Sequence, residues 1–425
     1  MTGIALVLII VFIGIVLFSI GTIPLEVTAL TIVCLLALTG VLTPAEAFAG
    51  FSNETVIFIF ALLAMTEGLS ATGVMHGAGN GLARLGRFGP RGFLLGMMLL
   101  VALFSAFVPN TVSTAAFLPA ALRGAKAAGL RRCGVLMPLA FASLLGGMGF
   151  LYGTSTNLVV SARLDELGHS PIGLVELTPA GLPVALLGVA TVLLLAPVVL
   201  PGRTGVGEEA SVPPAGHSPR VHPKALLALS IFVTALVLGS VGILPLAVAG
   251  VAGVLLMLLT GCLAPALVLR VDWRVVLMIG AMMALGVAME KSGAGQFLGG
   301  LAAEVAVVGG PRLVLLCLML LTVILSIPMS NQAAALVMLP VGLSAAAGLD
   351  VNPRTFAMGI ALAASCSFVT PLEPSCMLVY GPGRYRLSDF FRLGGPLTAL
   401  LLVALLVLVP WTWPMDAHGP LIGAR

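Results

Sequence analysis

The stretch SAFVPNT (residues 105–111) breaks a long apolar run with a proline, an amide and two hydroxyl groups, and SIPMSNQ (326–332) does the same later in the chain. Asn110 and Asn331 are 221 residues apart, and each lies nine residues before the proline of a Leu-Pro pair. The same offset superimposes further residues: Pro24 on Pro245, Gly40 on Gly261, Pro44 on Pro265 and Pro119 on Pro340. A single offset that holds over so many residues indicates an internal duplication.

The composition around these stretches is that of a membrane protein. Hydrophobic residues make up 60% of the 425 residues and charged residues only 8%, and the mean hydropathy is +1.18. Apolar segments long enough to cross a bilayer must be helical in lipid, because the backbone finds no water there. We expect ten crossings, at about residues 4–20, 24–42, 55–75, 133–162, 180–200, 225–241, 244–262, 275–290, 354–380 and 393–413.

Several classes of function find no support in the sequence. The net charge is only +4, so there is no electrostatic footprint for nucleic acid. The chain contains no HExxH, CxxC, GxSxG or Walker sequence, so we expect no enzyme activity and no cofactor beyond a coupling ion. The six cysteines occur singly in or beside apolar segments, which predicts small core residues.

Charge predicts opposite orientations for the two copies. Residues 84–132 hold seven basic side chains and no acidic one, whereas the matching window 305–353 contains only Arg312 and Asp350. Basic loops face the cytoplasm by the positive-inside rule. The sequence therefore predicts an all-α integral membrane protein built as an inverted repeat of two five-crossing halves, with both termini outside.

The predicted boundaries follow from this pattern. The N-terminal repeat covers 1–201, with spans 1–5 and a re-entrant hairpin at about 92–125. The C-terminal repeat covers 224–425, with spans 6–10 and a re-entrant hairpin at about 311–348. Between them, residues 202–223 are rich in proline and glycine and predict a cytoplasmic linker.

Four interruptions place polar or helix-breaking residues at membrane depth, two in each half: 105–111, 153–157, 326–332 and 370–375. Irregular backbone is tolerated there only beside protein or a water-filled cavity, so the four breaks should converge on one cavity. Half-helix N-termini can hold an anion, and unwound carbonyls with Ser or Asn oxygens can hold a cation such as Na⁺. Any single Ser or Thr could instead bond back within its own helix, but the paired arrangement favours a site.

Three motifs carry a resemblance to a known family: LLGGMGFLYGTSTNLVV (144–160), ELTPAGLPV (176–184) and TPLEPSCMLVYGPGRYRLSDF (370–390). With them the whole chain resembles the divalent-anion:sodium symporters, in particular the sulfate-permease-like branch of the ion transporter superfamily. The resemblance implies two re-entrant hairpins, two unwound helices, a homodimer and an elevator movement. The short linker lacks the soluble regulatory domains that many such relatives carry.

The resemblance also implies site residues. Na⁺ would bind at two sites, formed by Ser105, Asn110 and Gly153 and by Ser326, Asn331 and Glu373. The anion would bind at Asn110, Thr111, Thr154, Ser155, Asn331, Gln332, Thr370 and Ser375. Three residues depart from the family pattern: Pro109 replaces a hydroxyl residue, Gln332 a threonine and Met377 an asparagine.

Glu373 stands where the family segment has glycine. An ionisable group at membrane depth is costly, so a functional role is the default hypothesis. Either it ligates a cation or it carries a proton in place of sodium or beside it. The alternative is a carboxylate that only caps the end of an unwound helix.

The sequence thus predicts a multi-pass transporter of the cytoplasmic membrane that carries a small oxyanion, sulfate first and a dicarboxylate second, coupled to a cation, most simply Na⁺. A proton-coupled or uncoupled permease of the same architecture, an anion channel, and a membrane receptor that no longer transports stay open as alternatives. The predicted partners are the anion, Na⁺, the bilayer and a second copy of the chain.

Overall fold

A computed structural model describes residues 2–20, 25–73, 89–166, 169–200, 224–240, 243–269, 271, 273–327, 331–371 and 373–416. The chain is helical through nearly all of this part, which contains one isolated β-bridge between Val351 and Asp416. The predicted all-α fold class is confirmed. The predicted linker lies outside the described residues.

The first half forms nine helices. They are α1 (Thr2–Ile20), α2 (Leu25–Leu38), α3 (Pro44–Phe48), α4 (Glu54–Ala71), α5 (Gly89–Ser105), α6 (Asn110–Ala127), α7 (Cys133–Gly147), α8 (Ser155–Glu166) and α9 (Thr178–Val199). The second half also forms nine. They are α10 (Ala225–Ser240), α11 (Leu246–Leu259), α12 (Pro265–Val268), α13 (Trp273–Ser292), α14 (Ala294–Ser326), α15 (Asn331–Gly348), α16 (Pro353–Ala364), α17 (Pro374–Tyr380) and α18 (Leu387–Thr412). These counts hold for the described residues.

Each of the ten predicted crossings coincides with a helix or a helix pair. Within the described residues, five helices are individually long and apolar enough to cross a membrane: Pro44–Ala71, Thr178–Val199, Val308–Ser326, Asn331–Gly348 and Leu387–Thr412. The remaining apolar helices are shorter. The number and placement of apolar helices therefore agree with a multi-pass architecture.

Two crossings are broken in the middle, as the polar interruptions predicted. Between α7 and α8 the chain turns extended at Phe150, makes a single 3-10 turn at Leu151–Gly153 and is extended again at Thr154. Between α16 and α17 the helix stops after Ala364, and Pro374 restarts it at the first helical position, where a missing N–H costs nothing. Each break leaves a helix N-terminus inside the fold.

The predicted hairpins coincide with two helix pairs. Helices α5 and α6 pack together and are joined by residues 106–109, with Pro109 as the N-cap of α6. Helix α14 kinks at Gly310, whose φ of 72° a side chain would disfavour, and its second part packs against α15. Whether these pairs enter and leave on one membrane face, and whether the halves are inverted, stay predictions.

Packing divides the helices into two groups joined by α8. The first helix group is α1, α2, α3, α4, α10, α11, α12 and α13, and the second is α5, α6, α7, α9, α14, α15, α16, α17 and α18. Helix α8 packs against α4 and α13 of the first group and against α15 and α16 of the second. Direct contacts between the groups also occur where α14 meets α1 and α13, and where α15 meets α13.

A buried arginine lies at the contact between α8 and α13. Arg163, in the last turn of α8, is only 3% exposed. A Cβ atom added to Gly286 of α13 would lie 2.0 Å from Nη2 of Arg163. Because only glycine leaves room for the guanidinium, this residue pair fixes how closely α8 approaches the first helix group.

Two ion pairs join segments at one end of the bundle. Lys291, at the end of α13, pairs with Glu46 of α3 at 2.8 Å. Arg354, at the start of α16, pairs with Glu176 of the loop before α9 at 2.6 Å, and Trp413 Nε1 donates to the same carboxylate. In the predicted order of ten alternating crossings, all of these segments lie on one membrane face.

Two further contacts join segments at the other end. Lys224 Nζ donates to Thr260 O at 2.7 Å. Tyr385 accepts from Met137 N at 2.7 Å and donates to Cys133 O, so its hydroxyl is inserted into the hydrogen-bond ladder of α7. The predicted crossing order puts these segments on the opposite face, so the four contacts are consistent with that prediction.

The cysteine prediction was partly wrong. All six cysteines are free thiols, but only Cys262, Cys366 and Cys376 are buried. Cys34 is exposed on α2 because that face of the helix is not covered by other helices. In a membrane protein such a face meets lipid, which tolerates a thiol as well as a core does.

Candidate functional site

Oxygen atoms from three segments meet around Asn110, the first residue of α6. Its Oδ1 lies 2.8 Å from Ser105 Oγ. With the amide reversed, its nitrogen would donate to Ser105 Oγ at 2.8 Å, Ser143 O at 2.9 Å and Gly153 O at 3.3 Å. The orientation of an amide is assigned from its surroundings. In either orientation the structure brings together Ser105, Asn110 and Gly153, the three residues of the first predicted cation site.

The carbonyl of Ser143 is a fourth oxygen donor that sequence reasoning missed. Ser143 lies within α7, and its hydroxyl donates to Ala140 O and accepts from Thr114 Oγ1 at 2.9 Å. A main-chain carbonyl has the same chemistry at every residue, so no sequence signal could have singled it out. The hydrogen-bonded Ser143 and Thr114 side chains tie α7 to α6 beside the oxygen cluster.

Two glycines allow the unwound segment to approach Asn110. A Cβ atom on Gly147 would lie 2.8 Å from Asn110 Oδ1 and 2.9 Å from Gly153 O. A Cβ atom on Gly153 would lie 2.5 Å from Gly147 O. Side chains at these positions would therefore separate the end of α7 from Asn110 and Gly153.

Asn157 holds the unwound segment in shape. Its Nδ2 donates to Phe150 O at 3.0 Å and to Gly147 O at 3.4 Å, and its backbone N–H donates to Thr154 Oγ1 at 3.2 Å. These bonds satisfy carbonyls that the helix break left free. Asn157 lay inside the GTSTN motif but was not predicted as a site residue.

In the second half, Asn331 Nδ2 donates to Glu373 Oε2 at 3.2 Å. Glu373 is the N-cap residue of α17, but its carboxylate accepts no hydrogen bond from the backbone of that helix. The described contacts therefore do not show the capping bond that the alternative for Glu373 would involve, and its role stays a prediction. Its described hydrogen bond is to the amide at the start of α15.

Ser326 behaves differently from its counterpart Ser105. Its hydroxyl donates to Val323 O at 2.8 Å within α14, the back-bonded arrangement that is common for a serine inside a helix. The described contacts do not bring it to Asn331 or Glu373. Its role as a cation ligand stays a prediction.

At these helix ends a side-chain contact joins the two halves. Gln332 Nε2, on α15, donates to the hydroxyl of Ser155, the first residue of α8. Both side chains are half-buried. Two residues that are 177 positions apart and were both predicted to contact the anion therefore touch each other.

These contacts bring four helix N-termini into one region. Helix α6 begins at Asn110 beside the carbonyl that precedes α8, α8 begins at Ser155 beside Gln332, and α15 begins at Asn331 beside the N-cap of α17. The N-termini of α6, α8 and α15 carry free N–H groups and about half a positive charge. Helix α17 has seven residues and begins with proline, so it contributes less. Such a region can hold an anion without lysine or arginine.

Buried side-chain oxygens without a partner occur on the same segments of the chain. Thr370 Oγ1 and Ser375 Oγ are buried and have no hydrogen-bond partner among the described residues, and the same holds for Ser113 Oγ and Asn157 Oδ1. Thr154 is buried and Thr111 half-buried. Because buried polar groups are normally paired, unpaired ones at helix N-termini indicate groups that a ligand can use.

The described residues contain no group of three or more His, Cys, Asp or Glu side chains that could hold a metal ion. The donors at Asn110 are neutral oxygens instead. Hydroxyl, amide and carbonyl oxygens are hard ligands, which suit an alkali cation better than a transition metal.

Comparison with known proteins identifies the family. The family model described as citrate transporter (CitMHS) matches residues 9–363 and 271–420. The chain belongs to the citrate transporter family. Its resemblance to the divalent-anion:sodium symporters is confirmed by this match and by the sodium/sulfate and dicarboxylate transporters among its relatives. The protein is accordingly a multi-pass secondary transporter and not an enzyme.

This member of the citrate transporter family is similar along its whole length to an uncharacterised transporter of Synechocystis sp., at 24% identity over 96% of each chain. That alignment spans 590 positions, so the relative has inserted segments that this chain lacks. A probable sodium/sulfate cotransporter of Chlamydomonas reinhardtii is 31% identical over 39% of this chain and 19% of its own length.

Among solved structures, the YdaH transporter of Alcanivorax borkumensis is similar in fold. The TM-score is 0.61, with 18% identity over 89% of this chain and 88% of the other. At that identity the likeness concerns the fold alone. It agrees with the membrane architecture of the citrate transporter family.

Proposed function

We propose that this protein carries a small oxyanion across the cytoplasmic membrane together with a cation. The observation that supports the proposal most is the meeting of four helix N-termini with the oxygen cluster around Asn110. The helix ends supply positive potential for the anion, and the neutral oxygens supply ligands for the cation. Bound close together, the two ions would stabilise each other.

The first cation site consists of Ser105, Asn110, Gly153 and the added carbonyl of Ser143, and it suits Na⁺ because every donor is a neutral oxygen. The second consists of Asn331 and Glu373, with Ser326 as a further candidate. Its carboxylate could bind Na⁺ or carry a proton, so proton coupling is the second candidate mechanism. The anion would bind between the sites, at Thr111, Thr154, Ser155, Gln332, Thr370 and Ser375, with Asn110 and Asn331 at its edges.

Sulfate is the first choice of anion. The local similarity to a probable sodium/sulfate cotransporter supports it, since the matched region covers a substantial part of this chain. The name of the family supports a carboxylate as the second choice. Hydroxyls and helix N-termini bind both kinds of oxyanion.

Movement would follow the division into two helix groups. The second helix group holds three of the four helix N-termini, and α8 holds the fourth. The second helix group and α8 could therefore slide together against the first helix group, as in an elevator. The first group, with its lipid-facing apolar helices, would then be the scaffold of a homodimer. Both termini of the chain would lie outside.

The test is uptake by proteoliposomes of purified protein. Labelled sulfate and succinate are supplied with an inward sodium gradient, an inward proton gradient, or neither. Concentrative uptake of one anion that requires a cation gradient supports the proposal. Flux that neither saturates nor runs uphill would indicate a channel, and binding without counterflow would indicate a receptor.

A further inference from the structure

Gln332 is the longest side chain at the four converging helix ends. The first two residues of these helices are Asn110 and Thr111, Ser155 and Thr156, Asn331 and Gln332, and Pro374 and Ser375. All except Gln332 have short side chains or a ring. Gln332 reaches from α15 to the hydroxyl of Ser155 on α8.

The backbone of α15 is fixed behind this side chain. Ala333, Ala334 and Ala335 follow directly, and each is fully buried. Helix α15 also packs against α8, α14 and α16. Because the helix is held on several sides, the distance that residue 332 reaches from α15 toward α8 depends on the length of its side chain.

The contact with Ser155 also fixes the direction of the amide. A primary amide has two N–H donors, and the hydrogen bond to Ser155 uses one of them. The second stays available, together with N–H groups of the helix ends, for an oxyanion at the converging helix N-termini. A compact anion can accept these donors together, whereas a dicarboxylate must extend its carbon chain past the amide to reach a second group of donors.

We propose that Gln332, anchored by Ser155, restricts the anion site to compact inorganic oxyanions of the sulfate class and excludes dicarboxylates. This inference rests on the proposed function, since it concerns the selectivity of the same site. It assigns the selectivity between sulfate and dicarboxylates to one side chain, because helix N-termini and hydroxyls bind both kinds of anion.

The experiment measures selectivity, which a purely structural role would not change. Proteoliposomes take up labelled sulfate in the presence of increasing succinate, and labelled succinate uptake is measured in parallel. For the wild type we expect sulfate uptake with little inhibition by succinate. Gln332→Thr should shorten the side chain, and the ratio of succinate to sulfate uptake should rise about tenfold.

Three variants test separately the anchor, the charge of the side chain and its position in the fold. Ser155→Ala removes the anchor and should raise the same ratio by a smaller factor. Gln332→Glu keeps the size but adds a negative charge, and sulfate uptake should be lost. Gln296→Thr, the same substitution near the start of α14, should leave the ratio unchanged. If Gln332→Thr does not fold, as judged by size exclusion and thermal unfolding, Gln332→Ser and Gln332→Asn serve the same purpose.

The outcomes are distinguishable. Suppose that the wild type transports sulfate and that the ratio of succinate to sulfate uptake in every shortened variant stays within about twofold of the wild-type ratio. This result overturns the inference about Gln332 and leaves the proposed function standing. A wild type that prefers succinate also overturns the inference alone. A wild type that takes up neither anion under any gradient overturns both.

Discussion

The side-chain amide of Asn331 donates a 3.2 Å hydrogen bond to the carboxylate of Glu373. In the first half, the amide of Asn110 faces the main-chain carbonyl of Gly153. Glu373 lies 220 residues after Gly153, almost the same offset that relates the two asparagines. The second half thus presents a carboxylate where the first presents a neutral carbonyl, and a charge at membrane depth requires a compensating cation or proton.

Glu373→Gln should therefore change the cation dependence of transport. The neutral amide needs no compensating charge, so we expect concentrative uptake to lose its dependence on one of the imposed gradients, while exchange of labelled for unlabelled anion continues. The measurement is proteoliposome uptake with sodium or proton gradients. The matched control is Glu304→Gln, an exposed carboxylate on α14. Equal rate and equal cation dependence in wild type and Glu373→Gln would exclude a role in coupling.

Gly147→Ala should weaken the first cation site. The added methyl group would lie 2.8 Å from Asn110 Oδ1 and 2.9 Å from Gly153 O, so the two oxygens must move apart. Overpacking of this kind costs about 1–3 kcal/mol. We expect a higher sodium concentration for half-maximal uptake and a lower Tm. The control on the same helix is Gly134→Ala, where a Cβ atom meets nothing within 4 Å. If both variants keep the wild-type sodium dependence, the oxygen cluster is not the sodium site.

Gly286→Ala should destabilise the contact between α8 and the first helix group. Its methyl group would overlap the Arg163 guanidinium, at 2.0 Å from Nη2. We expect Tm in detergent to fall by an amount that corresponds to about 1–3 kcal/mol. Gly395→Ala on α18, which meets nothing within 4 Å, should leave Tm unchanged or raise it slightly. An unchanged Tm for Gly286→Ala would mean that Arg163 can leave its position at no cost.

The ion pair between Glu176 and Arg354 should make stability depend on pH. Burial alone would raise the pKa of Glu176, but hydrogen bonds from Arg354 and from Gly173 N hold this pKa below its ordinary value. A lowered carboxylate pKa stabilises the fold above the pKa of the unfolded chain, and this stability is lost as the pH falls through the lower, folded value. Tm should therefore fall on acidification below about pH 4.

Arg354→Met is the matching variant for this pair. It leaves the Glu176 carboxylate, 18% exposed, without its cation, and should cost about 3 kcal/mol at neutral pH. The acid-dependent fall in Tm should become smaller, because the pKa of Glu176 is no longer lowered by Arg354. A variant with the same acid profile as the wild type would show that other carboxylates cause the loss.

The inverted repeat predicts opposite accessibility for Lys126 and Ala347. The two positions are 221 residues apart, and both side chains are exposed. Single cysteines at these positions, in a chain whose six native cysteines are replaced, should react with a membrane-impermeant thiol reagent from opposite faces in oriented vesicles. The cysteine at 126 should react from the cytoplasmic side. Reaction of both from one side would mean that the halves are parallel.

Several features of the fold could be predicted from local sequence. The ten apolar segments follow from the thickness of the bilayer, which requires a long apolar run for each crossing. The breaks before α8 and α17 follow from glycine, proline and hydroxyl residues, which disfavour a continuing helix. The family resemblance, and not the spacing alone, implied that Asn110 would meet Gly153 and that Asn331 would lie near Glu373. The substrate, the coupling ion and the dimer stay predictions.

Tertiary structure alone decided the remaining features of the site. It placed the carbonyl of Ser143 at Asn110, turned the hydroxyl of Ser326 back into its own helix, and brought Gln332 to Ser155. Helix formation and helix breaking depend on neighbours within a few residues, so the sequence determines where the crossings and the breaks occur. Contacts between residues more than a hundred positions apart depend on how the helices pack, and packing determines which oxygens and amides meet.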